Sequence, residues 1–330
     1  DGHEWTMGAY ATDYVEKVWP LTYRGGAKKL GKFGYPSEGQ GGMIARPSGG
    51  YFFDRCAEAG LNYRSYGEFV ENGPAPGKPS STKFKNLEGH FDPLFRGYDL
   101  DYSDVKRAER FLAEIARFER EGELPRWIVL RLPNDHTSGT SPGKLTPTAM
   151  VAQNDFALGM VIEGLSKSKF WPTMAVFVVE DDAQNGPDHV DAHRTVALAV
   201  SPYSKRRSVD SSLYSTSSML RTMGLILGTK PLSQFDAAAR PMYASFQPTL
   251  DLAPYAKVAP SVDIEARNLR TAWGAQKSLQ FDLSKEDQAD DIAFSEVIWK
   301  SVKGANSPLP APVRAAFFVG KPRGEDDDDD

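Results

Sequence analysis

The feature that most constrains this chain is a strand, a helix and a strand laid end to end between residues 127 and 179. Trp127-Ile128-Val129-Leu130-Arg131-Leu132 is an apolar run of strand length, and Met174 to Val179 is another. Between them, from about Thr148 to Ser166, Val151, Leu158, Val161, Ile162 and Leu165 recur at helical spacing. Such a βαβ unit has a right-handed crossover, which is expected to make the two strands parallel neighbours in a sheet covered by helices. A helix is expected just upstream, capped by Ser103, with Ala108, Phe111, Leu112, Ile115 and Phe118 on one face and a stop at Gly122 and Pro125. After Val179 the polar segment Glu180 to Arg194 contains Gly186-Pro187 and has no room for a crossover helix. The strand Thr195 to Val200 is therefore expected to run antiparallel.

The rest of the chain is arranged around this core. Residues 1–100 carry turn clusters such as Tyr23-Arg24-Gly25-Gly26 and Arg46-Pro47-Ser48-Gly49-Gly50, and read as loops wrapped on the core. A helix near Tyr51 to Ala59 and a strand near Asn62 to Tyr66 interrupt them. Further on, helices are expected around Ser215 to Leu227 and Asp287 to Lys303, with a loop around Asp236. These patterns divide the chain into one large α/β domain over 1–250, loop-rich to 100 with its core at 101–202, then a C-terminal extension over 251–320 packed on the same domain. Residues 321–330 form an acidic tail expected to be disordered.

Charge and cysteine usage exclude several classes. The formal charge is −5, but the last six residues are all acidic, and without them 39 basic side chains face 38 acidic ones. A nearly neutral body lacks the clustered Lys and Arg of a nucleic-acid-binding face. The single cysteine, Cys56, excludes an internal disulfide framework and a Cys-based zinc ribbon. No apolar run approaches the roughly 18 residues of a transmembrane segment. No Gly-x-Ser-x-Gly elbow is present, and Glu38-Gly39-Gln40-Gly41-Gly42 lacks the ending of a phosphate loop.

The chemistry is expected where strands end. Three of the five histidines fall in two polar loops: His136 in Leu132 to Gly139, and His189 and His193 in Glu180 to Arg194. In open α/β sheets ligands bind beyond the carboxyl ends of the strands. An antiparallel last strand would begin at that same edge, so Asp135, His136, Asp181, Asp182 and His193 converge. Carboxylates set side by side raise one another's pKa unless a cation compensates, and a divalent metal is the simplest one. Oxygen ligands with one or more histidines suit Mn, Zn, Fe or Mg, and a more carboxylate-rich sphere favours Ca. Arg194, beside His193, is a candidate for a phosphate oxygen, with a structural salt bridge as its alternative. His3 reads as solvated or packed, and Cys56 as buried and inert.

Together, Leu132-Pro133-Asn134-Asp135-His136-Thr137, the helix through Asn154-Asp155, Val178-Val179-Glu180-Asp181-Asp182, Asp188-His189-Val190-Asp191-Ala192-His193-Arg194 and Val200-Ser201-Pro202-Tyr203 resemble the phosphoesterase family of the alkaline phosphatase superfamily. That family includes phospholipase C-like and acid phosphatase-like enzymes. The resemblance implies a three-layer α/β/α sandwich with a mostly parallel sheet, a metal-held phosphate site, and attack on phosphorus by a Ser or Thr alkoxide. It assigns Asp135, His136, Asp181, Asp182 and His193 as metal ligands, with His3, His189 and Arg194 as candidates to hold those ligands in place or to bind phosphate. Much of the superfamily has Asp-His where this chain has Asp181-Asp182, which points to a harder metal or a single one.

The family opens with an acidic-Asn metal motif on its first core strand, and its nucleophile shortly precedes an Asn/Gly-His sequence. Asp1-Gly2-His3 resembles that last piece. The nucleophile and the first metal motif are therefore expected upstream of Asp1 or on a partner chain. Two functions follow: a metal-dependent phosphoesterase acting on a small phosphate ester or a phospholipid, or an inactive phosphoesterase-fold protein serving as a binding or structural module. The resemblance also implies a periplasmic or extracellular location.

Overall fold

The computed structural model describes residues 2–22, 37–39, 42–181, 194–284 and 288–310. In chain order the elements are α1 (Gly2–Gly8), α2 (Asp13–Thr22), α3 (Phe52–Glu58), β1 (Tyr63–Tyr66), α4 (Asp104–Glu121), β2 (Trp127–Leu130), α5 (Pro147–Lys167), β3 (Val176–Val179), β4 (Ala197–Val200), α6 (Thr216–Leu227), α7 (Gln234–Ala238), α8 (Ala275–Ser278) and α9 (Asp291–Lys303). The fold is mixed α/β, with small sheets of few strands. Among the described residues no helix is long and apolar enough to cross a membrane.

The central helices follow from local signals. Ser103 caps α4 by accepting the Val105 N–H at 3.2 Å, and Gly122 ends it at φ 95°. Thr146 caps α5 through the Ala149 N–H at 3.1 Å, with Pro147 in the first turn. The two helices lie against each other where a side chain at Gly164 would collide with Leu112, so the missing Cβ sets their approach.

Strands β1 and β2 pair in parallel, Tyr63 opposite Trp127 and Tyr66 opposite Leu130. Alternation sends Ile128 and Leu130 to a cluster with Phe111, Ile115, Ala157 and Val161 of α4 and α5. Trp127 and Val129 go the other way, to Phe52, Phe53, Cys56 and Leu220 of α3 and α6. Each buried Phe or Leu in these clusters contributes about 1.5–3 kcal/mol. Strand β4 runs antiparallel to β3, Val179 opposite Ala197, as the lack of room for a crossover required.

Three expectations need correction. The strands of the βαβ unit are not hydrogen-bonded neighbours: β2 pairs with β1, β3 pairs with β4, and the described residues form two separate two-stranded sheets. The crossover rule fixes hand and direction but not adjacency. The loop-rich start contains α1 and α2, and the residues around Asp236 form α7. In α7 the Asp236 carboxylate accepts the N–H groups of Leu232 and Ser233 at 2.9 and 2.7 Å, a capping arrangement that holds a five-residue helix.

Behind the β2 loop lies a fully buried ion pair, Asp104–Arg107, at 2.8 Å. Arg107 donates to the carbonyls of Arg96, Gly97, Asp99 and Tyr102 at 2.6–2.8 Å and to Asn134 Oδ1 at 3.1 Å. Asp104 in turn accepts the Asn134 N–H and the Asn154 amide, both at 3.0 Å. Burial pushes the Asp104 pKa up and the Arg107 pKa down, and each partner opposes the shift of the other. Removing one charge strands its partner in the interior. Arg107→Ala is expected to lower unfolding free energy by about 3–5 kcal/mol, read by urea titration, and Arg107→Lys to recover only part of it.

Candidate functional site

The polar groups gather at the carboxyl ends of β2 and β3. After β2 the chain makes a 3-10 turn, Asn134–His136, and the next residue, Thr137, is held at φ 62°, ψ 166°. That region is otherwise reserved for glycine and costs about 1–3 kcal/mol. Asn154 of α5 fixes the turn by donating to Leu132 O at 2.8 Å and to Asp135 Oδ1 at 3.2 Å. Asp135 thereby meets the residues that follow β3. Burial, a hydrogen bond with the Glu180 carboxyl, and the charges of Glu180 and Asp181 push the Asp135 pKa up to about 8.

His3 of α1 bridges the two strand ends. Its Nδ1 lies 2.7 Å from Glu68 Oε1, and its Nε2 lies 3.1 Å from Asp181 Oδ2. Arg131, directly after β2, places Nη2 3.2 Å from the same Nε2 and Nη1 2.6 Å from Glu38 Oε1. Burial lowers the His3 pKa and so does Arg131, but Glu68 and Asp181 outweigh them and hold it well above its ordinary value. His3 is therefore an imidazolium near neutral pH. A Cβ at Gly2 would lie 2.3 Å from the Asp181 carbonyl oxygen, so α1 reaches this position only because residue 2 is glycine.

A second buried carboxylate anchors the adjoining segment. Glu4 is fully buried and accepts the Gly39 N–H at 2.6 Å and the Tyr51 hydroxyl at 2.8 Å. These bonds hold Ser37–Gly39 and, with it, Glu38, whose backbone is left-handed at φ 49°. Desolvation outweighs both hydrogen bonds and pushes the Glu4 pKa up to about 7.

Two charge regimes result. His3, Glu38 and Glu68 offer ligand atoms that all lie within 4.8 Å of one another, and such a group can hold a metal ion. Its carboxylates already face the His3 imidazolium and the Arg131 guanidinium. On the other flank Asp135 is hydrogen-bonded to Glu180 and feels the charge of Asp181, and the stress is relieved by a retained proton. A divalent cation could take that proton's place, and a donor set of carboxylate oxygens fits a hard cation.

Of the sequence-expected residues, Asp135, Asp181 and His3 come together here. His136 does not join them: its ring lies beside Tyr98 and Phe294, at centroid distances of 5.6 and 5.9 Å, and its Nδ1 is buried without a hydrogen-bond partner. Arg194 is exposed before β4. Asp182, His189 and His193 lie outside the described residues. Glu4, Glu38, Glu68, Arg131 and Glu180 escaped the sequence reading. Arg131 and Glu180 carried a signal, since each is a charged residue ending or directly following an apolar strand run. The three other glutamates are scattered through a segment without periodicity.

The burial of Glu4 gives a pH test. Its pKa is about 7 in the fold against an ordinary 4.5. The folded state thus binds more protons than the unfolded one between those values, and stability falls as pH rises through that window. The total is roughly 3 kcal/mol. In Glu4→Gln this contribution should vanish, so urea unfolding at pH 4.5 and pH 7.5 should show a smaller loss of stability in the variant than in the natural chain. Equal slopes would refute the assignment.

Comparison with protein-family models and with curated proteins finds no match to this chain.

Proposed function

We propose that this chain is the larger part of a metal-dependent phosphoesterase with an alkaline phosphatase-like, three-layer sandwich fold. The observation that carries the reading is the meeting of Asp135, Glu180 and Asp181 at the ends of two strands, with one carboxyl forced to keep its proton near neutral pH. Carboxyls with pKa values this strongly perturbed cluster at functional sites. Helices on both faces of the β1–β2 pair support the layered fold.

Asp135 and Asp181 would hold the cation, and the resemblance adds Asp182 and His193 as further ligands. Mn, Zn, Fe, Ca and Mg are the candidate ions. When bound, a divalent cation supplies Lewis acidity toward a phosphoryl oxygen. The chain's own residues supply the rest. The His3 imidazolium donates from Nε2 to Asp181 and sets a positive charge at the ends of both strands, which would favour a phosphoryl oxygen there. Arg131, restrained by Glu38, keeps a second positive charge within reach of His3. Asn154 keeps Asp135 aimed at the β3 end. The nucleophile and the first metal motif would come from residues preceding Asp1 or from a partner chain, and α1 seated against Asp181 gives such a segment a short path into the site. The substrate class is a phosphate ester, small or lipid, in an exported protein.

Titration of Mn²⁺ into the protein by calorimetry tests the cation site. Asp135→Asn and Asp181→Asn should each weaken binding at least about tenfold, which is about 1.4 kcal/mol. Affinity unchanged in both variants would sink the assignment. Release of p-nitrophenol from its phosphate mono- and diester, measured on the chain with its preceding residues, should require the metal. Metal binding without turnover would instead favour the binding or structural module.

A further inference from the structure

A groove of about 770 Å³ opens where α1, the start of α6 and α7 meet, and none of the residues lining it belongs to the Asp135 site. What it offers follows from the sequence Ser215-Thr216-Ser217-Ser218, which opens the 12-residue helix α6. Ser215 and Ser218 satisfy each other: the Ser218 N–H donates to Ser215 O at 2.9 Å, and the Ser215 N–H donates to Ser218 Oγ at 3.2 Å. Thr216 and Ser217 occupy the first turn, where an N–H has no carbonyl of its own helix to bond. Both line the groove.

A second observation points to a ligand at this helix start. Ser217 is only 5% exposed, yet among the described residues its hydroxyl has no hydrogen-bond partner. Nor is that hydroxyl sealed into the interior, so the surface it keeps belongs to the groove. Buried hydroxyls are almost always bonded, and Ser217 thus adds an unused donor to two unused N–H groups. The charge agrees. Arg240, just after α7, also lines the groove; it is exposed and has no ion-pair partner among the described residues, and no Asp or Glu lines the groove beside it. A helix start and a guanidinium both favour an anion. The remaining lining is largely apolar. Trp5 meets Phe235 edge-on at 5.2 Å, Phe235 stacks on Tyr10 at 6.0 Å, and Phe235 and Leu213 stay exposed. Aromatic surface beside oxyanion donors suits a ligand with an apolar body and a charged head.

We propose that this groove binds a small organic phosphate. Its phosphoryl oxygens take the N–H groups of Thr216 and Ser217, the Ser217 hydroxyl and the Arg240 guanidinium, and its apolar or aromatic body lies against Trp5, Leu213 and Phe235. A phosphoryl head fits better than a carboxylate, because three terminal oxygens can accept from the helix start, the hydroxyl and the guanidinium at once. The site needs no cation and is separate from the phosphoesterase reading.

The test is titration of phenylphosphonate, whose P–C bond resists hydrolysis, into the whole chain in the presence of EDTA. Binding is read by calorimetry and by the NMR signal of the Trp5 indole N–H, identified through its loss in Trp5→Phe. Phenylphosphonate should shift that signal and bind at least about tenfold more tightly than inorganic phosphate, which lacks the body, or phenylacetate, which lacks the phosphoryl head. Benzyl alcohol, the body without a charge, should give no saturable shift. Arg240→Gln, at an exposed position, should weaken phenylphosphonate about tenfold and Ser217→Ala about fivefold, whereas Asp181→Asn should leave its affinity unchanged. An unmoved Trp5 signal, tighter binding of phenylacetate, or full affinity in Arg240→Gln would each overturn the proposal. The chelator and the inert probe keep the cation site out of the measurement. Failure here therefore leaves the phosphoesterase reading standing, and failure of Mn²⁺ binding leaves this one standing.

Discussion

The buried Asp104–Arg107 pair is the interaction on which the site depends. Arg107 ties together four carbonyls of the 96–102 segment, which otherwise has no regular structure to satisfy them. Asp104 passes the constraint on to the Asn134 backbone and to Asn154. The turn bearing Asp135 is thus fastened to α4 and α5 from behind. Both charges pay desolvation, and the dense set of hydrogen bonds offsets it. The same fastening sustains the unfavourable backbone of Thr137.

In front of this scaffold, charge is unevenly balanced. On the α1 flank, two cationic side chains answer Glu38, Glu68 and Asp181. On the Asp135 flank, burial and neighbouring carboxylates leave a proton as the compensating cation. The difference is the ground for proposing cation binding at Asp135 and Asp181 rather than at His3, Glu38 and Glu68, whose ligand atoms all lie within 4.8 Å of one another. The Arg131 guanidinium is a permanent charge and stays where it is across physiological pH, whereas a carboxyl near pKa 8 exchanges its proton readily.

Much of the core was legible because its determinants are local. Ser103, Gly122 and Thr146 bound their helices through bonds spanning two to four residues, and the 108-111-115-118 spacing of α4 needs no distant partner. The antiparallel β4 was legible from an absence of room for a helix. Asp135 and Asp181 were legible because polar residues just after apolar strands must lie at the sheet edge. His136 had the same signal, yet its ring turned into an aromatic niche with Phe294 of α9, more than 150 residues further along.

Sequence by itself determined where the chain is helical or extended in its centre, the direction of β4, and which edge of the strands holds the acidic residues. These depend on hydrogen bonds and periodicities that close within a few residues. Tertiary structure decided the pairing of β2 with β1 rather than β3, the helical start of the chain, and the presence of Glu4, Glu38, Glu68 and Arg131 around His3. Those arrangements join residues tens to more than a hundred positions apart. Only the folded chain brings such charges within a few ångströms, and there burial and Coulomb attraction decide which of them keeps its proton.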